Sequence, residues 1–292
     1  MSIPSPKALA INGGVLLIIG LGAVSAVKSF FKPAIEVCTA RYGRTVKMNV
    51  ERNGGLMTPS DVQASVAGAD YGVMENVKIA RFTGAPVTAG FTIAIKAGTS
   101  QADAERVSPG GMSFPWQPRT SPALNAKAGC LSYNVFLPAD FEFGDAGTLP
   151  GLFGVSPSQG AAKDERFSTH VVWGGRGAFA NHVVLSTKDG WLTDVSNVDQ
   201  FGGLPRGRWV RIDQEVVLNT PGQDDGAVRL WVDGTLRTQL PKAVLRHSAD
   251  VGIQGVMADV YFGGQVYDGR VSEGKALKDE QVQLTPFELR WN

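Results

Sequence analysis

Ser168, His170 and His182 fall within one short stretch, FSTHVVWGGRGAFANHVVLS, of a 292-residue chain that has only 3 histidines. Imidazole has an ordinary pKa of about 6.5, so two imidazoles beside a hydroxyl form a set able to move protons near neutral pH. The set works together only if one surface carries it. Residues two apart on a strand share a face. Ser168, His170 and Val172 therefore share one face, and Ala180, His182 and Val184 share one on the return strand. Whether the two faces coincide depends on register. A plain two-residue turn at Gly175-Arg176 pairs residue 170 with 181 and sends His182 to the opposite side. A one-residue bulge pairs 170 with 182, and the glycines at 174, 175 and 177 tolerate the positive φ a bulge needs. The bland alternative is two unrelated histidines, one on the surface and one satisfied in the core.

Other residues invite weaker readings. Gln214 lies on the apolar face of its strand, among Val210, Ile212, Val216 and Leu218. A buried amide without partners costs about 1–3 kcal/mol, so Gln214 either bonds in the core or borders a polar cleft. Arg211, Asp213 and Glu215, on the opposite face, read as a solvated charge ladder. Asp224 and Asp225, in a Gly-flanked loop, read as turn formers rather than metal ligands. Trp116 and Trp173 are candidates for stacking on sugar rings, with core packing as the competing role. No phosphate-binding loop, nucleophile elbow or zinc-protease motif is present. Cys38 and Cys130 lack zinc-site spacing; they are open to a disulfide or to two buried thiols.

These residues need a scaffold. With 36 glycines, 16 prolines and little helical periodicity, the chain reads as many short strands joined by turns. FTIAIKAG, CLSYNVFLP and WVRIDQEVVLN alternate apolar with polar, and AVRLWVDGTLRTQL contains a strand, an Asp-Gly turn and a second strand. The pattern predicts an all-β, two-sheet jelly-roll sandwich. Thr58-Pro-Ser-Asp61 predicts a capped short helix ending at Gly68. One globular domain is expected over 35–292. Residues 1–34 stand apart: Ala8–Val27 is almost wholly apolar and long enough to span a bilayer, so it reads as a membrane anchor or as a signal segment cleaved near Ala26. Basic residues after the segment argue for a cytoplasmic main domain, against export. The net charge of +1 gives no global attraction to nucleic acid.

Three stretches together, LSYNVFLPADFEFGDAGTLPGLFG, FSTHVVWGGRG and GRWVRIDQEVVLNTPGQDDGAVRLWVDG, resemble polysaccharide lyase family 14, with YFGG at 261–264 as a weaker match. The resemblance implies a jelly roll that cleaves alginate- or glucuronan-like uronate polymers by β-elimination, without metal or organic cofactor. Ser168 matches the family pattern, and Asn219 with the Thr-Pro-Gly after it matches too. The family's arginine position holds His170, its first tyrosine position His182, its second Val184, and its lysine position Thr148. Arg176 lies close to the place of a further family arginine, which here is Gly174. On this reading His182 is the base, His170 or a nearby arginine such as Arg176 faces the substrate carboxylate, and Ser168 and Gln214 support them. Gln214, Arg176, Asn219, Trp116 and Trp173 form the expected substrate-binding set. The expected partner is an acidic polysaccharide, met by a monomer that is exported or anchored through its N-terminal helix. The missing lysine and both tyrosines fit a different uronate linkage or a glycan-binding relative without catalysis, and a structural protein of an envelope or virion on the same scaffold is a further rival.

Overall fold

The computed structural model describes residues 35–66, 70–100, 110–156, 165–187, 189–199, 202–263, 266–267, 270–271 and 274–292. The expected anchor or signal segment lies outside them. Among the described residues no helix is long and apolar enough to cross a membrane. Val37–Asn292 forms one compact unit.

Two antiparallel sheets dominate this unit. The 9-stranded sheet runs in the order Thr235–Ala243, Gly226–Val232, Trp209–Val217, Ala128–Phe136, Glu280–Leu284, Ala89–Ile95, Val77–Arg81. Glu288–Trp291 joins it by pairing both Ala128–Phe136 and Arg44–Lys47. The 8-stranded sheet runs Gly190–Val195, Phe179–Thr187, Arg166–Gly174, Gly151–Val155, Gly255–Met257, Pro115–Trp116. Ala146–Leu149 links it to Tyr261–Phe262. The period-two alternation of the sequence explains how the sheets face each other. Phe167, Val171 and Trp173 point inward with Phe91, Tyr133, Ile212 and Phe287 to form the core, while Ser168 and His170 point outward. The predicted helix is present as Pro59–Ser65, closed by a reciprocal capping box between Thr58 and Asp61.

A polar bridge crosses the core. Thr169 Oγ1 donates to Gln214 Oε1 at 2.9 Å, Gln214 Nε2 donates to Asn181 Oδ1 at 3.0 Å, and Asn181 Nδ2 donates to Thr238 Oγ1 at 2.9 Å. Leu152 N also donates to Gln214 Oε1, at 3.2 Å. Gln214 is thus a satisfied core amide joining the two sheets, not a cleft residue. The expected solvated ladder is likewise corrected. Asp213 and Glu215 are buried, because the segment that begins at Cys38 folds over that face. Cys38 and Cys130 form a disulfide, and from that tie Tyr42 Oη donates to Glu215 Oε1 at 2.8 Å while Arg41 meets the same oxygen at 3.0 Å.

The hairpin that carries the histidines takes the shifted register. Trp173 pairs Phe179, and His170 pairs His182 directly. The two-residue turn is replaced by a wider loop closed by Gly174 N donating to Ala178 O at 2.7 Å. Arg176 takes a left-handed backbone, φ 63°, and so does Gly177, φ 78°. A Cβ on Gly177 would come within 2.6 Å of the Phe143 ring, so glycine is required there.

Candidate active site

With that register, Ser168 lies opposite Val184, His170 opposite His182 and Arg166 opposite Ser186. All six therefore share the outer face of the 8-stranded sheet. Burial along this face rises in one direction. Arg166 is exposed and Ser168 half-buried, while His170 is 8% exposed and Val172 3%. The face thus becomes more buried toward the histidines. At its open end a cavity of about 380 Å³ is lined by Arg166, Ser168, Val184, Ser186, Phe153 and Met257. The Arg166 guanidinium has no ion-pair partner among the described residues.

The buried end of this face is covered by other parts of the chain. His170 Nε2 lies 2.9 Å from Asp259 Oδ2, and Tyr261 Oη donates to that same oxygen at 3.1 Å. Tyr261 is placed by pairing with Thr148, which in turn pairs Val172. Tyr71 comes from outside the regular strands. Paired backbone bonds to Ser113 hold it, next to a matching pair between Met112 and Val260. Its ring centroid lies 6.0 Å from that of Tyr261.

Polar groups in this corner are incompletely satisfied. Tyr71 Oη, His170 Nε2 and Asp259 Oδ1 are buried without a hydrogen bond. The His170–Asp259 contact is short, but the ring leaves Nε2 off hydrogen-bonding alignment. Native interiors pair nearly all such atoms, so three in one corner need a reason. Burial, then the nearby Asp259 carboxylate, pushes the Tyr71 and Tyr261 phenols well above their ordinary range. Both are protonated near neutral pH and act as donors.

The sequence-predicted residues divide. Ser168, His170 and His182 come together on one face. Trp173 turns into the core, 2% exposed, with Nε1 donating to Phe143 O at 2.9 Å. Asn219 is buried and ties a loop, accepting from Leu245 N and Arg246 N and donating to Arg246 O. Trp116 is buried beside Phe287 and opens only toward a different hollow, with Met48 and Arg119. Arg176 occupies the hairpin tip, in a hollow with Glu142, Phe143 and Arg206. With Gln214, these four are corrected: each is held by packing, by the turn or by local bonding away from the cleft. Sequence reasoning missed Arg166, Tyr71, Asp259 and Tyr261. Arg166 carried a usable signal, since it precedes Ser168 by two on the same strand. The other three are joined to His170 only by tertiary structure.

The outer face of one sheet of this all-β sandwich thus carries imidazoles at one end and an arginine with no ion-pair partner among the described residues at the other. The sequence profile of polysaccharide lyase 14 matches residues 87–268, and the chain belongs to that family. A curated relative, the exolysin of Paramecium bursaria Chlorella virus 1, is 27% identical over 173 residues. That match covers 48% of this chain and 26% of the viral protein, so the chain spans about a quarter of that relative's length. Two solved structures share the fold. The PL-14 alginate lyase of Aplysia kurodai aligns with a TM-score of 0.61 at 19% identity, over 76% of this chain and 89% of its own. An alginate lyase from a Chlorella virus aligns with a TM-score of 0.61 at 20% identity, over 78% and 94%.

Proposed function

We propose that the chain cleaves an acidic, uronate-containing polysaccharide by β-elimination in this cleft. Family membership supports the reaction class, and the two alginate lyases that share the fold support a uronate polymer. The observation that carries the site is the direct His170–His182 pairing, with Asp259 behind His170 and the exposed Arg166 on the same face. Three roles must be filled: a base for the C5 proton, a partner for the carboxylate, and an acid for the leaving oxygen.

Arg166 binds the carboxylate, since its exposed guanidinium has no ion-pair partner among the described residues and suits a planar anion. Ser168, between Arg166 and His170, hydrogen-bonds the bound sugar. His170 removes the C5 proton. The electron pair of that C–H bond forms the C4–C5 double bond, the C4–O bond breaks, and the Tyr71 phenol protonates the departing oxygen. Exchange with water returns the proton of His170 and restores that of Tyr71. The base moves from His182 to His170 because His182 is only 2% exposed and already engaged. His182 backs its cross-strand neighbour.

The test offers the full chain alginate, polyglucuronate and mixed uronans, and follows the ultraviolet absorbance of the unsaturated uronyl end. A rise that is absent in His170→Asn supports the reading. A specific observation favours one rival: Thr148 and Val184 stand where the family pattern has a lysine and a tyrosine. If a polymer binds tightly and no absorbance develops, the protein is a glycan-binding relative. The working compartment we propose is outside the cytoplasm, where such polymers lie and where the Cys38–Cys130 disulfide persists. Anchoring through Ala8–Val27 and a monomeric state complete the proposal.

A further inference from the structure

We propose that Asp259, held in place by Tyr261, is a positioning residue that fixes His170 in one tautomer, with Nε2–H toward Asp259 and the Nδ1 lone pair toward the cleft. The proposal rests on the lyase reading for its kinetic arm only. The geometry is specific. His170 Nε2 lies 2.9 Å from Asp259 Oδ2, and Asp259 is the one polar partner of the imidazole among the described residues. Asp259 is 4% exposed, and its Oδ2 is pinned by the Tyr261 hydroxyl at 3.1 Å. A carboxylate accepts and cannot donate, so the nitrogen facing it must carry the proton. A neutral imidazole has one N–H, which leaves Nδ1 as the basic atom. Nδ1 has no hydrogen-bond partner among the described residues, which leaves its lone pair uncommitted.

The imperfect alignment of Nε2 fits this role. Bonds of this kind are often poorly aligned in a free enzyme and tighten when substrate fills the site. Tyr261 does a separate job. Buried and kept protonated, it donates to Asp259 and prevents the carboxylate from turning away. The family pattern has an arginine where this chain has His170. An arginine has no tautomer to select, so this device belongs to this chain's own residues.

The experiment labels the full chain with ¹⁵N-histidine and reads the imidazole nitrogens by long-range proton–nitrogen correlation. With 3 histidines in the chain, His182→Gln and His247→Gln assign the signals. The expected wild-type spectrum shows neutral His170 protonated at Nε2. In Asp259→Asn the two tautomers mix, kcat falls by about 10²-fold or more, and KM stays within about twofold. Asp259→Glu recovers part of both the tautomer and kcat. A wild-type His170 protonated at Nδ1 overturns the proposal, even if Asp259→Asn does not fold. An Asp259→Asn protein with an unchanged tautomer, or with kcat and KM altered together, overturns it as well. No turnover by wild type on any uronan would sink the lyase reading, while the tautomer measurement would still decide the role of Asp259.

Discussion

Asp213 and Glu215 on the outer side of the 9-stranded sheet, and His170 and Asp259 on the outer side of the 8-stranded sheet, are all buried ionisable groups. Their surroundings differ. Glu215 is met by Arg229 at 2.6 Å, Arg41 at 3.0 Å and the Tyr42 hydroxyl at 2.8 Å. Asp213 accepts from Arg211 Nε at 2.9 Å and from Ser132 Oγ at 2.5 Å. In the corner of His170 and Asp259, by contrast, three buried polar atoms are left without a hydrogen bond. Burying a polar group without a partner opposes folding. One face therefore uses its charges to hold a covering segment, and the other leaves part of its polar atoms unsatisfied, as the proposed binding of a ligand there requires. Unsatisfied groups in an otherwise consistent fold mark the place where function overrides stability.

The largest effect we expect separates the two faces by exchanging readouts. His170→Asn should lower kcat by about 10²–10⁴-fold and move the denaturant midpoint little. Glu215→Ala should do the reverse. It removes one partner of a buried cluster and should cost about 3 kcal/mol of stability, with turnover per folded molecule unchanged. Uronyl absorbance and urea titration on both variants check this. A His170 variant as destabilised as the Glu215 variant would erase the distinction. Reduction of Cys38–Cys130, which are 92 residues apart, should cost about 4.6 kcal/mol in the chain-entropy account. The loss should appear as a lower melting temperature in reductant, with the cleft still active below the melt. At the open end of the cleft, Arg166→Ala should raise KM about tenfold and change kcat less. The wild-type advantage should shrink as salt is added, because Arg166 is exposed.

Much of the scaffold was legible. The alternations of Ala128–Phe136 and Trp209–Val217 are long and regular, and period two dictates which side each residue faces. The capping box at Thr58 and Asp61 was legible because all of its atoms are local. The shared histidine face turned on one residue of register, decided by the loop that Gly177 and the Phe143 ring shape together. Phe143 is distant in sequence, so the hairpin alone could not settle it. Gln214 read correctly as a residue that must be bonded, but its partners Asn181 and Thr169 come from the other sheet. Asp213 and Glu215 misled for a related reason. Alternation marks an outward face but does not reveal that a segment from Cys38 covers it. Asp259, Tyr261 and Tyr71 lie at least 89 residues from His170 in sequence. No local spacing links them to it, and the contact is made only when the Tyr71–Ser113 and Met112–Val260 bridges close the corner.

The smallest effect tests the same contrast through pH. Glu288 belongs to the satisfied face, bonded to Lys47 at 3.1 Å and to Arg290 at 2.6 Å. Burial pushes its carboxyl up, but Lys47 and Arg290 outweigh that and hold it below its ordinary value of 4.5. A carboxyl with a lowered pKa in the folded state stabilises the fold above its unfolded pKa. That contribution is lost as pH falls through the folded value. Lys47 is 70% exposed, so screening limits the effect to about 1 kcal/mol or less. Glu288→Gln should therefore flatten the acid limb of stability slightly below about pH 4.5 and leave it unchanged near neutrality. Because Glu288 serves the fold and not the cleft, the pH profile of uronan cleavage should not change with it. Chemical denaturation between pH 3 and 7, read beside the rate profile, measures both. A shift in the rate profile would mean that charges on the 9-stranded sheet reach the cleft through the core, by way of the Gln214 bridge, and that the two faces do not act independently.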